Sequence, residues 1–87
     1  MNIAIQHAEM TKEPEGGYRG RVFFEAEGHK KPYEVTLLSK KGTVWDYSLS
    51  FGKESGPEEQ INAMEAALEE DDELFDSLID AAMDKLA

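Results

Sequence analysis

The chain has no cysteine, which excludes a disulfide framework, a thiol nucleophile and every thiolate zinc or iron–sulfur site. A reducing, cytoplasmic setting fits that absence. No apolar stretch approaches the ~18 residues that read as a membrane span, and Met1 to His7 contains no basic segment leading into a long apolar run. Neither secretion nor membrane spanning is expected. Histidine is scarce as well, His7 and His29 being the only two. Hydrolytic and nucleophilic chemistry needs a base, held by an orienting group, beside a nucleophile, and neither histidine sits in such a motif. His29 falls in a predicted turn, and His7 shares the alternation of Ile3 and Ile5, where it reads as a residue at the edge of a core. No catalytic residue is assigned, and the chain is not expected to be an enzyme.

Cations are almost missing from one end. Residues 57–87 carry eleven Asp and Glu against the single Lys85, whereas residues 1–56 hold eight acids and eight bases. The formal net charge of -10 therefore rests wholly on the C-terminal segment. Such asymmetry gives that segment its own partner preference, and nucleic acid, itself a polyanion, is a poor ligand for it.

What is present suffices for one small core. Eighty-seven residues, 40% of them hydrophobic, lie below the common domain size of about 100–150 residues, so the chain reads as one domain over 1–87, with a sheet in 1–52 and an acidic helical segment in 55–87. Asn2 to Met10 alternates with period two and predicts a strand with Ile3 and Ile5 inward. Pro14, Gly16 and Gly17 mark a loop. Tyr18 to Ala26 predicts a second strand, with Val22 and Phe24 on one face, and Glu27 to Lys30 a hairpin connection. Tyr33 to Leu38 predicts a third strand with Tyr33, Val35 and Leu37 inward. Val44 to Phe51 predicts a fourth, with Trp45, Tyr47, Leu49 and Phe51 sharing a face.

After Phe51 the period changes. Ser55, with Pro57 and Glu58 behind it, predicts a capped helix start, and Ile61, Met64 and Leu68 recur at helical spacing. The run from Glu69 to Glu73 interrupts that stripe. Asp71 or Asp72 is placed to cap a second helix carrying Leu74, Phe75, Leu78, Ile79, Ala82, Met83 and Leu86 on one side. The expected fold is α+β: a four-stranded antiparallel β-meander followed by two C-terminal amphipathic helices packed on one sheet face. The expected core joins Ile3, Ile5, Val22, Phe24, Val35, Leu37, Trp45, Leu49 and Phe51 to Ile61, Leu68, Phe75, Leu78 and Ile79.

The acids are candidate metal ligands by residue type. Asp71, Asp72 and Glu73 lack the loop spacing and central glycine of a calcium hand, and no histidine accompanies them, so neither metal nor cofactor is expected. The remaining signal is geometric. Asp72, Asp76, Asp80 and Asp84 recur every four residues, which on a helix makes a ridge of carboxylates about 6 Å apart; Glu65, Glu69 and Glu73 form a similar row. Phosphates advance about 3.4 Å per nucleotide, so the ridge approximates every second phosphate of one strand. The plainest reading is the solvated side of an amphipathic helix. Exposed helices normally interleave Lys with Glu, however, and here the cations are absent.

The expected function is a non-enzymatic module that docks Glu69, Asp72, Glu73, Asp76, Asp80 and Asp84 on a basic surface of another protein, including one that handles nucleic acid. No motif places the chain in a family. Its size, acidity and lack of cysteine are similar to those of small phage-encoded inhibitors that occupy nucleic-acid sites on host enzymes, a similarity of composition that transfers no residues. Two other readings stand beside it. In the first, the chain is a structural domain that self-associates through an exposed sheet edge or through Phe23 and Leu38. The segment Arg19 to Phe24, basic and aromatic, is the remaining candidate for a single-strand nucleic-acid contact, although it lacks the aromatic positions of the known RNA platform signature.

Overall fold

The computed structural model describes residues 1–86. Four strands, β1 (Ile3–Lys12), β2 (Tyr18–Ala26), β3 (Tyr33–Ser39) and β4 (Asp46–Phe51), precede two helices, α1 (Glu58–Glu70) and α2 (Asp72–Met83). The strands form one antiparallel sheet in the order β1-β2-β3-β4, the arrangement that short hairpin connections favour. Both helices cover the same face: α2 lies against β1 and β2, and α1 against β4. This is the expected α+β architecture. Among the described residues, no helix is long and apolar enough to cross a membrane.

The central strands obey the period-two rule closely. Val22, Phe24, Tyr33, Val35 and Leu37 have no solvent exposure, and they meet Met64 of α1 and Leu78 and Ala82 of α2. The aromatic rings carry this packing laterally, since Tyr33 lies 5.5 Å from Phe51 in a stacked pair and 5.6 Å from Phe24. Gly20 continues the inward face of β2 opposite Met10, and a Cβ there would stand 2.7 Å from the Met10 Cε and 2.8 Å from the Glu9 carbonyl oxygen. Glycine is what lets Met10 fold over β2.

The first strand departs from the simple alternation. Ile5 pairs with Phe24 but His7 pairs with Phe23, so Gln6 is an extra residue in a β-bulge. The bulge reverses side-chain parity. Ala8 and Met10 become the buried residues of β1, Ile5 remains 42% exposed, and His7 moves to the open face beside Phe23 instead of joining Ile3 and Ile5. The fourth strand also starts later than its alternation suggests. Residues 40–44 bend, with Gly42 at φ 80°, leaving Val44 79% exposed and Trp45 half-buried just ahead of β4. Ser55 does not cap α1: the N-cap position is Pro57, in extended conformation and without a side-chain cap bond.

A candidate protein-docking face on the helices

The two helices form because their apolar positions fall on one side and the chain breaks where that side would be lost. Met64 and Leu68 are buried from α1, and Leu74, Leu78 and Ala82 from α2. Between them Asp71 leaves helical geometry, with φ -112° and ψ 95°, and its Oδ1 accepts a hydrogen bond from the Leu74 N–H at 3.2 Å. That bond satisfies one of the free amides of the new helix, and Asp72 and Glu73 add negative charge where the helix dipole is positive.

All six residues of the expected docking set, Glu69, Asp72, Glu73, Asp76, Asp80 and Asp84, are exposed. The structure does not string them along one helix. Asp72, Asp76 and Asp80 lie on α2, and Asp84 is its C-cap, with the Asp84 N–H donating to the Asp80 carbonyl at 3.0 Å. Glu69 belongs to α1, and the break at Asp71 separates Glu65 and Glu69 from Glu73.

Glu69 has an internal partner that the sequence pattern did not reveal. The Tyr47 hydroxyl, projecting from the helix-covered face of β4, donates to Glu69 Oε1 at 2.6 Å and ties α1 to the sheet. Burial holds the Tyr47 proton on more tightly than in a free phenol, and the bond to Glu69 and the charges of Glu69 and Glu65 strengthen the effect. The alternation placed Tyr47 inward. Only the packing of α1 over β4 shows which carboxylate it meets.

The counter-ions are distributed as unevenly as the charges. Among the described residues the ion pairs all lie in the sheet half: Arg21 with Glu9, Arg19 with Glu13 at 3.9 Å, Lys31 with Glu54 at 2.7 Å and His7 with Glu9 at 4.0 Å. Lys31 holds the Glu54 carboxyl below the usual glutamate range. No helix carboxylate has such a partner, and no group of three His, Asp or Glu side chains converges to hold a metal ion among the described residues.

The open sheet face offers different chemistry. Arg21 donates from Nε to Glu9 at 2.6 Å and lies over the Phe23 ring, 5.6 Å from its centroid. Both arginines of the Arg19–Phe24 segment thus already face carboxylates, which lowers their value as phosphate ligands. His29 Nδ1 lies 2.7 Å from the Tyr33 hydroxyl, so this histidine partners a buried phenol at the hairpin. Comparison with known proteins finds no matching family model, no matching curated protein and no matching solved structure.

Proposed function

We propose that the protein is a non-enzymatic binding module whose acidic C-terminal helices dock on a basic surface of a partner protein. The observation that carries this reading is that, among the described residues, no helix carboxylate has an ion-pair partner, while the sheet half pairs Arg19, Arg21 and Lys31 with carboxylates of its own. A solvated helix face gains from interleaved cations, so eleven acids with one lysine carry a repulsion that a cationic partner would relieve. The free surface centres on Asp72, Glu73, Asp76, Asp80 and Asp84; Glu69 contributes from its bond to Tyr47. The spacing along α2 suits a groove that otherwise receives a phosphate backbone, so a protein that handles nucleic acid is the proposed partner class.

The test is capture from lysate on the native chain and, in parallel, on Asp76→Asn/Asp80→Asn/Asp84→Asn, with identification of the bound proteins by mass spectrometry. A basic protein retained by the native chain, released by salt and missing from the triple variant supports the reading. Equal retention by both chains refutes it.

A further inference from the structure

We propose that the β2–β3 hairpin is a pH-sensitive latch on the start of α1, released when His29 takes up a second ring proton. Tyr33 has no solvent exposure, and among the described residues its hydroxyl has one partner, His29 Nδ1 at 2.7 Å. Sealed from solvent, the phenol O–H has to donate to that nitrogen, which requires a neutral imidazole carrying its own proton on Nε2. A doubly protonated ring has a donor at both nitrogens. Nδ1 then no longer accepts, and the Tyr33 O–H is left without an acceptor inside the core, which disfavours the closed hairpin. The His29 ring is itself only partly buried, so protons reach it.

Nothing nearby offsets the new charge. The hairpin carries Glu27, Lys30 and Lys31, β3 contributes Tyr33, the chain after β4 carries Lys53 and Glu54, and α1 opens on Glu58 and Glu59. Glu27 is bonded to Asn2 and Glu54 to Lys31, and among the described residues no carboxylate lies within ion-pair distance of His29. What the hairpin holds is the entry to α1. The Lys30 N–H donates to Gln60 Oε1 at 2.8 Å, and Lys31 Nζ to Glu54 at 2.7 Å. A Cβ on Gly56 would stand 2.8 Å from Lys31 Cγ, so the Lys31 stem lies against the chain leading into the helix. The first turn of α1 has little else to fix it: its N-cap is Pro57, without a side-chain cap bond, and its buried residues, Met64 and Leu68, lie further along. Histidine is the side chain whose charge ordinarily changes between about pH 5 and 8, so mild acid reaches the helix start through His29.

The experiment is amide exchange of the full chain at about pH 7.5 and about pH 5, each rate taken relative to an unstructured chain at the same pH. The native protein is compared with His29→Asn, Tyr33→Phe and His7→Asn. Protection of the Lys30 amide, and of the Gln60 and Ile61 amides that donate to the Pro57 carbonyl, should fall about tenfold at the lower pH. The opening is local, so the Leu78 amide in α2 should keep its protection. Asn at position 29 accepts through Oδ1 but does not titrate, and Tyr33→Phe leaves no O–H to strand, so both should abolish the pH dependence. His7→Asn should leave it intact. Native protection that is the same at both pH values overturns the proposal, as does a fall of equal size at Leu78. A fall that persists in His29→Asn or Tyr33→Phe, or that vanishes in His7→Asn, overturns it too, by assigning the acid response to another group.

Discussion

Neutralising the ridge of α2 should make the isolated protein more stable. Asp76→Asn, Asp80→Asn and Asp84→Asn keep the side-chain shape, and none of the three carboxylates has an ion-pair partner among the described residues. Three like-charge contacts at four-residue spacing are relieved, 72 with 76, 76 with 80 and 80 with 84, each worth about 0.2–0.5 kcal/mol. Asp84 adds a further gain of about 0.3–1 kcal/mol, because a carboxylate at a helix C-cap opposes the dipole and no base occupies the last turn. Asn and Asp have similar helix propensity, so the exchange costs little in the backbone. Allowing for screening, the net gain is about 1 kcal/mol in low salt, or a rise of about 4–8 °C in Tm for a domain of this size. Thermal and urea unfolding, in low salt and in about 1 M salt, check this, since the shorter screening length should erase most of the difference. A triple variant less stable than the native chain, or a gain that persists undiminished in high salt, would show that these carboxylates make structural contacts and refute the reasoning.

Two further substitutions test the elements that position the face. Tyr47→Phe removes the bond to Glu69 and should cost about 0.5–1.5 kcal/mol, measured by urea unfolding near neutral pH. Tyr47 and Tyr33 are both held protonated in the fold, so stability should be fully present below about pH 10 and fall above it, where the unfolded chain ionises first. The fall should be shallower in Tyr47→Phe; an identical pH profile would remove Tyr47 from the linkage. Asp71→Ala deletes the cap of α2 and should cost about 1 kcal/mol, with amide exchange at Leu74 quickening first; unchanged exchange there would show that the cap bond is not holding the helix start.

Much of this architecture is legible in the alternation of β2, β3 and β4, because both central strands bury one face completely and local period and tertiary packing agree. The helix break is legible too, since the acidic run occupies positions where a continuous stripe needs an apolar residue. The bulge at Gln6 is not. Its surroundings, Ile5-Gln6-His7, contain no glycine to mark it, and one inserted residue moves His7 outward while Ala8 and Met10 turn inward. The missing cap at Ser55 has a similar cause: capping depends on the path of the preceding chain, and here Gly56 packs against Lys31 and Phe51, a contact no local pattern contains. Within the docking set, the repeat along α2 could be read directly from spacing. The tie between Glu69 and Tyr47 needed the tertiary placement of α1 over β4.

The central claim, that the acidic helices form the binding surface, is tested most directly by measuring the affinity of the captured partner for the native chain and for the Asp76/Asp80/Asp84 triple variant across a salt series. The native affinity should fall steadily as salt rises from about 50 mM to about 500 mM, and the triple variant, folded and at least as stable, should bind at least about tenfold more weakly at low salt with a flatter salt dependence. A folded triple variant that binds with undiminished affinity and the same salt dependence would contradict the account and move the binding surface off α2.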